Sequence, residues 1–230
     1  MNNNVQTQFG YAGSGIAADS QRVLRNTYWL LALSLVPTVL GAWIGVATGL
    51  FALMSPGAST LIFFIGAFGL MFVIEKTKDS ATGVAALLGF TFFMGLMLSR
   101  LVGYVLGFKN GTSLVMTAFG GTAAVFFTMA SLATVIKRDL SGMGKFLVVG
   151  AVILMVAGIA NLFMQSSALM LTMLVLSLGI FSAFMLYDVK RVIDGGETNY
   201  ISAALNIYLD LYNVFQSLLS LLGIFGGDRD

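Results

Sequence analysis

The sequence predicts an all-α membrane protein of seven transmembrane helices. Two observations carry this. Of 230 residues, 58% are hydrophobic and only 10% are charged, against about 25% charged in an ordinary soluble domain. Seven apolar runs of spanning length follow one another with short connections, and the charges cluster between them. Cysteine and histidine are both absent. That excludes disulfides, thiolate and imidazole metal sites, Ser-His-Asp triads and Cys-His dyads. A net charge of +2 gives no footprint for nucleic acid.

Residues 1–24 are polar and rich in Asn, Gln, Gly and Ser, which predicts a flexible cytoplasmic N-terminal tail. No apolar segment follows a basic start, so this is no secretory leader. Residues 25–230 form the seven-helix domain. The first run, 28–50, is long enough to span a bilayer, which takes ~20 apolar residues. Pro37 lies inside it and is expected to kink it. Further spans are expected at 58–74, 81–101, 113–136, 146–164, 168–187 and 201–224, with no soluble domain inserted.

Lysine and arginine set the orientation. With the N-terminus cytoplasmic, the inner segments hold Arg22, Arg25, Lys76, Lys78, Lys137, Arg138, Lys145, Lys190 and Arg191. The outer segments hold Lys109 and Arg229, with Arg100 near the outer end of the third helix. This is a positive-inside bias, and seven spans leave the C-terminus outside. The alternative is a re-entrant seventh segment with both termini inside.

Several polar positions invite a packing reading. On the fourth helix Ser113, Thr117, Gly120 or Gly121, Ala124, Thr128 and Ser131 share one stripe. Small residues let helices approach closely in lipid, so packing is expected, with pore lining as the alternative. The pairs Gly41/Gly45 and Gly103/Gly107 read the same way. Arg100 is expected either to snorkel to the outer interface or to stand as a fixed charge at an outer vestibule. The triplet Asn110-Gly-Thr112 fits a glycosylation acceptor. The GMGK run at 142–145 lacks the spacing of a phosphate loop.

The last forty residues carry the chemistry. A hydrophobic hairpin reads LYDVKRVID, turn GGETNY, then ISAALNIYLDLYNVFQSLLSLL, with Asp188 in one arm and Asp210 in the other. An ionised aspartate at the centre of a lipid-embedded helix costs roughly 2.5–3.5 kcal/mol on insertion scales, so each marks a candidate functional site. Asp188 lies near Lys190 and Arg191, where an ordinary interfacial charge is the competing reading; Asp210 sits deep among apolar residues. Around Asp210, the residues Ser202, Asn206, Asn213, Ser217 and Ser220 recur every three or four positions and form a polar seam on one helical face. Such a seam faces protein or water rather than lipid. It serves either as interhelical hydrogen-bond glue or as a path for water and an ion. Two carboxylates in contact in a low-dielectric site cannot both ionise easily, so a close pair would hold a shared proton and act as a pH-sensitive latch. Counting from the turn at about 1.5 Å per residue puts Asp188 ~9 Å and Asp210 ~16 Å deep. Contact then requires tilt, an extended sixth helix or a broken seventh.

The stretches VLRNTYWLLALSL, FGGTAAVFF followed by KRDLSGMG, and above all GGETNYISAALNIYLDLYNVFQSLLSLLG resemble the Bax inhibitor-1 family of membrane proteins, in its bacterial YccA-like branch. The likeness spans essentially the whole chain. It implies a seven-helix fold with the seventh helix central, in the bacterial cytoplasmic membrane. In channel-like members of the family, an aspartate pair on helices six and seven senses pH and controls a calcium leak, which maps here to Asp188 and Asp210. A basic residue at the cytoplasmic end of helix two engages the pair in those members. Lys76 is the candidate here, with Glu75 beside it departing from the pattern. YccA-like members are associated with the membrane AAA protease FtsH, as substrate and modulator, and the N-terminal tail is what such a protease would grip. The resemblance thus leaves two functions open, a pH-gated cation leak and modulation of FtsH. Two aspartates offer few of the six to eight oxygens calcium prefers, so binding at Asp188 and Asp210 is expected to be weak. Expected partners are calcium or another cation, protons, the lipid bilayer and FtsH, with no cofactor. A proton-coupled transporter is disfavoured because no inverted repeat of broken helices is visible. No nucleophile and base pair up to suggest an enzyme.

Overall fold

The computed structural model describes residues 4–50 and 54–228, with side chains from residue 19 onward. Among them the fold is all-helical: α1 Asn4–Thr48, α2 Pro56–Thr77, α3 Ala81–Leu106, α4 Gly111–Val135, α5 Ser141–Met164, α6 Ser167–Ile193 and α7 Tyr200–Gly226. Each is long and apolar enough to cross a membrane, the spanning part of α1 being Asp19–Thr48. Most of the expected tail therefore falls on residues whose side chains lie outside the described part. The exposed Trp29 and Trp43 of α1 stand fourteen residues apart, ~21 Å along the helix, as expected of aromatic anchors near two interfaces.

Helix α7 is central, packing against α1, α2, α3, α4 and α6. The main core joins Leu30 and Leu31 of α1, Ile74 of α2, Phe90 and Met94 of α3, and Ile207, Tyr208 and Tyr212 of α7. Lipid is as apolar as these side chains, so close packing and hydrogen bonds hold the bundle rather than water exclusion. The α1–α3 contact shows how. Gly41 lies against the Phe92 carbonyl, Gly45 against Ser99, and Gly95 against the Thr38 backbone. The expected packing role of the Gly41/Gly45 pair is thereby met, whereas Gly107 ends α3 as its C-cap. Beside this seam the Thr38 hydroxyl and the Tyr208 hydroxyl share a hydrogen bond of 2.9 Å, joining α1 to α7.

One expectation is corrected by the packing. The small-residue stripe of α4 is not its packing face: Ser113, Thr117, Gly120, Ala124, Thr128 and Ser131 are all exposed. The buried side carries Leu114, Ala118, Thr122 and Ala133, and Gly121 meets Leu218 of α7. An outward threonine is tolerated because Thr128 donates to the Ala124 carbonyl one turn back, satisfying its own hydroxyl. Helix α7 runs unbroken to Gly226, and the residues after it meet the α3–α4 turn. There Asn110 donates to the Gly226 carbonyl and accepts from the Asp228 amide. The side chain read as a glycan acceptor is thus the clasp of the C-terminal segment. At that same end of the bundle the Arg100 guanidinium reaches the Met54 carbonyl of the α1–α2 connection and the Ser59 hydroxyl in the first turn of α2.

Candidate functional site

The site is built where α6 hands over to α7. Helix α6 continues past Tyr187 through Asp188 to Ile193. It ends on Gly195, whose φ of 76° is the left-handed conformation that glycine adopts without a Cβ penalty. The Gly196 amide then donates to the Arg191 carbonyl and closes the turn. Glu197 pairs with Arg191 and accepts the Asn199 amide. Asn199 caps α7 by accepting the Ile201 and Ser202 amides, while its own amide donates to the Lys78 carbonyl and to Asp79. One side chain thus starts α7 and ties it to the α2–α3 connection. Asn199→Ala is expected to lower unfolding stability in detergent micelles by about 2 kcal/mol, a lost cap plus lost tertiary bonds. Asn199→Asp, which keeps the cap and loses the donors, is expected to lose about half of that.

From this frame the two carboxyls meet. The Asp188 and Asp210 side chains lie within hydrogen-bonding reach of each other. A hydrogen bond between two carboxyls exists only when one carries a proton, since an ionised carboxylate is an acceptor only. Asp210 is 4% exposed, and its Oδ2 has no hydrogen-bond partner. Asp188 is half-buried. Its charged neighbours are Arg191 and Glu197. The depth mismatch is closed without an extended α6 or a broken α7. Helix α6 ends and α7 begins where the count from the turn places them, at Ile193 and Tyr200, so of the three expected routes tilt is the one that remains.

A cleft of about 600 Å³ opens beside the pair, lined by Ser141, Gly144, Lys145 and Val148 of α5, Phe184, Tyr187, Asp188 and Arg191 of α6, and Asn206 of α7. Its α5 wall is set by the loop before it. Asp139 accepts both the amide and the hydroxyl of Ser141, which hold its carboxyl below the usual carboxylate range. Its folded value lies below its unfolded one, so this contact is complete above the ordinary carboxylate range and is lost only as pH falls through the lowered value.

The remaining site candidates divide. Asn206 lines the cleft next to Asp188. Asn213 turns back to the Leu209 carbonyl, Ser217 is buried, and Ser202 and Ser220 are half-buried. The seam is therefore an inside face of a helix packed on most sides. Lys76 is not brought to the pair. Its ammonium lies over the Phe72 ring, 5.5 Å from the centroid. Ile74, two residues earlier, is buried in the core, and a step of two on a helix turns the side chain about 200° away. Glu75 instead pairs with Lys78 and holds that ammonium above the usual lysine value. Arg191 is the cation beside Asp188.

Sequence reasoning gave no role to Tyr208 and Tyr212, both buried and both two residues from Asp210. The signal was present, since YLDLY places both tyrosines two residues from the aspartate and hence on the opposite face. That face meets α1 and α3, where Tyr208 bonds Thr38 and packs edge-on to Phe90. Among the described residues no three carboxylates gather as a metal site.

The sequence profile of the family described as "Inhibitor of apoptosis-promoting Bax1" matches residues 20–227. Curated relatives agree over nearly the whole chain. An uncharacterized protein of Neisseria meningitidis is 42% identical over 215 residues, covering 90% of this chain and 92% of its own. The Escherichia coli K12 protein named "Modulator of FtsH protease YccA" is 37% identical over 209 residues, covering 91% and 93%. A sequence from another Escherichia coli strain, equally similar, is named "Inner membrane protein YccA". None of these names describes an enzyme. With a matching profile, near-full coverage and seven membrane-length helices, this chain is a member of the Bax inhibitor-1 family of integral membrane proteins.

Proposed function

We propose that the chain is a pH-sensitive cation leak, with calcium the expected ion, gated by the Asp188–Asp210 pair. One observation carries this reading: two carboxyls from adjacent helices meet inside the bundle, one of them buried with an oxygen left without a partner. A pair that can hold one proton, two or none has three charge states, and each changes the force between α6 and α7. A two-carboxylate donor set suits brief, weak contact with calcium rather than storage. The basic end of the bundle, with Lys76, Lys78, Lys137, Lys145 and Arg191, is taken as the cytoplasmic side. Purified protein in calcium-loaded liposomes should release the ion at a rate that varies across roughly pH 5 to 8, the range over which a buried pair can titrate. A flat release rate equal to that of empty liposomes would remove the channel reading.

A second reading is favoured by the relative named as a modulator of FtsH, with which this chain shares 37% identity over 209 residues. Here the chain acts in membrane-protein quality control, entering the protease from its N-terminus. Removing residues 1–20 is then expected to abolish its degradation in cells containing FtsH, followed by pulse-chase. Unaltered turnover would count against that entry point.

A further inference from the structure

The cleft beside Asp188 has a composition that the leak does not use. Its walls come from three helices and combine two cations, Lys145 and Arg191, with the Asp188 carboxyl, the polar groups of Ser141, Tyr187 and Asn206 and an apolar flank that includes Val148. We propose that it seats the phosphate headgroup of an anionic phospholipid, with Lys145 and Arg191 bracketing the phosphate and an acyl chain lying along α5.

Charge argues for an anion. Arg191 is partly balanced by Glu197, at 3.5 Å, and by Asp188 nearby. Lys145 has no ion-pair partner among the described residues, so its ammonium stands unpaired at the lip of the cleft. A guanidinium and an ammonium facing one space suit phosphate, the first by planar paired donors and the second as a point charge. Position argues for a lipid rather than a free anion. Lys145 lies in the second turn of a membrane-length helix, where headgroups lie. Val148, Val149 and Val152 follow it on α5 and are all exposed, at 54%, 58% and 47%. They continue the apolar wall in the direction an acyl chain would take.

The space depends on glycine. A Cβ at Gly144 would lie 2.6 Å from the Tyr187 hydroxyl, so the missing side chain lets the Tyr187 ring lie flush against α5. Gly144 leaves Tyr187 near the floor of the cleft, where its hydroxyl can face a headgroup.

The test uses the full chain purified in neutral detergent, with retention of added phosphatidylglycerol or phosphatidylcholine read by native mass spectrometry. Phosphatidylglycerol should be retained and phosphatidylcholine not. Lys145→Glu, at an exposed and unpaired position, should weaken phosphatidylglycerol binding by roughly tenfold or more, since each basic residue near a lipid surface contributes about a factor of five. Lys137→Glu, an equal charge reversal at the same end but outside the cleft, should leave it within about twofold. Equal weakening by both reversals would show a diffuse surface field and overturn the seat. Equal retention of the two lipids would overturn it as well. Displacement of the lipid by inorganic phosphate at matched concentration would assign the cleft to a free anion and overturn the lipid.

Discussion

Asp210→Asn is expected to abolish the pH response of ion release while leaving the protein folded. The carboxamide is the same size as the carboxyl, and its NH2 group donates to Asp188 at every pH. In the native pair the hydrogen bond exists only while a proton is present. Once both groups ionise, two unit charges at ~4 Å and an effective dielectric near 20 repel by about 4 kcal/mol, enough to change a two-conformer ratio by roughly a thousandfold. On the proposed gating, the contact between α6 and α7 is expected to weaken as pH rises past loss of a shared proton. The other charges facing Asp188 are Arg191 and Glu197. In the Asn variant the ratio of release rates measured at the two ends of the pH 5 to 8 range should fall to about one, because no proton is shared between two carboxyls and their mutual repulsion is gone. Asp188→Asn is expected to act in the same direction. A variant that retains both the native rate and the native pH response would refute gating by the pair.

Much of this arrangement was legible in the sequence, for reasons that differ by residue. The seven spans follow from composition alone, because lipid tolerates little else. Asp210 was legible because nothing beside it explains a charge there. Its contact with Asp188 was not, since counting depth from a common turn assumes two helix ends level with each other. The α4 stripe misled because small hydroxyl residues satisfy themselves on their own helix, and so fit a lipid-facing surface as well as an interface. Lys76 misled because proximity in sequence to a helix end says nothing of phase. The buried Ile74 two residues before it carries that information. The cleft was illegible: Lys145, Arg191 and Asn206 belong to three helices, and no spacing rule links them.

The same distinction between phase and composition sets the largest stability effect expected in the fold. Gly95→Ala should destabilise the protein by about 3 kcal/mol, the upper range for overpacking a tight contact, with the loss of a nearby hydrogen bond included. A Cβ at position 95 would lie 2.1 Å from the Thr38 carbonyl oxygen and 2.9 Å from the Thr38 Cα. Both are backbone atoms of a helix, so no rotamer change relieves the clash and α1 must move away from α3. That movement acts on Thr38, whose hydroxyl joins Tyr208 of α7. The damage should therefore pass from one helix pair to the central helix. Gly45→Ala is expected to be milder, because the Ser99 hydroxyl it meets at 2.4 Å can rotate away, which leaves the Ser99 Cβ at 2.5 Å as the fixed obstacle in place of a helix carbonyl. Gly89 supplies the control. It lies on the same helix with nothing within 4 Å, so its replacement by alanine should be neutral or stabilising by up to about 1 kcal/mol through helix propensity. Unfolding in mixed detergent micelles, followed by far-ultraviolet circular dichroism, should rank them Gly89→Ala, then Gly45→Ala, then Gly95→Ala. Coincident transitions for the first and last would mean that α1 and α3 do not meet backbone to backbone, and the linkage from Thr38 to Tyr208 would fall with that contact.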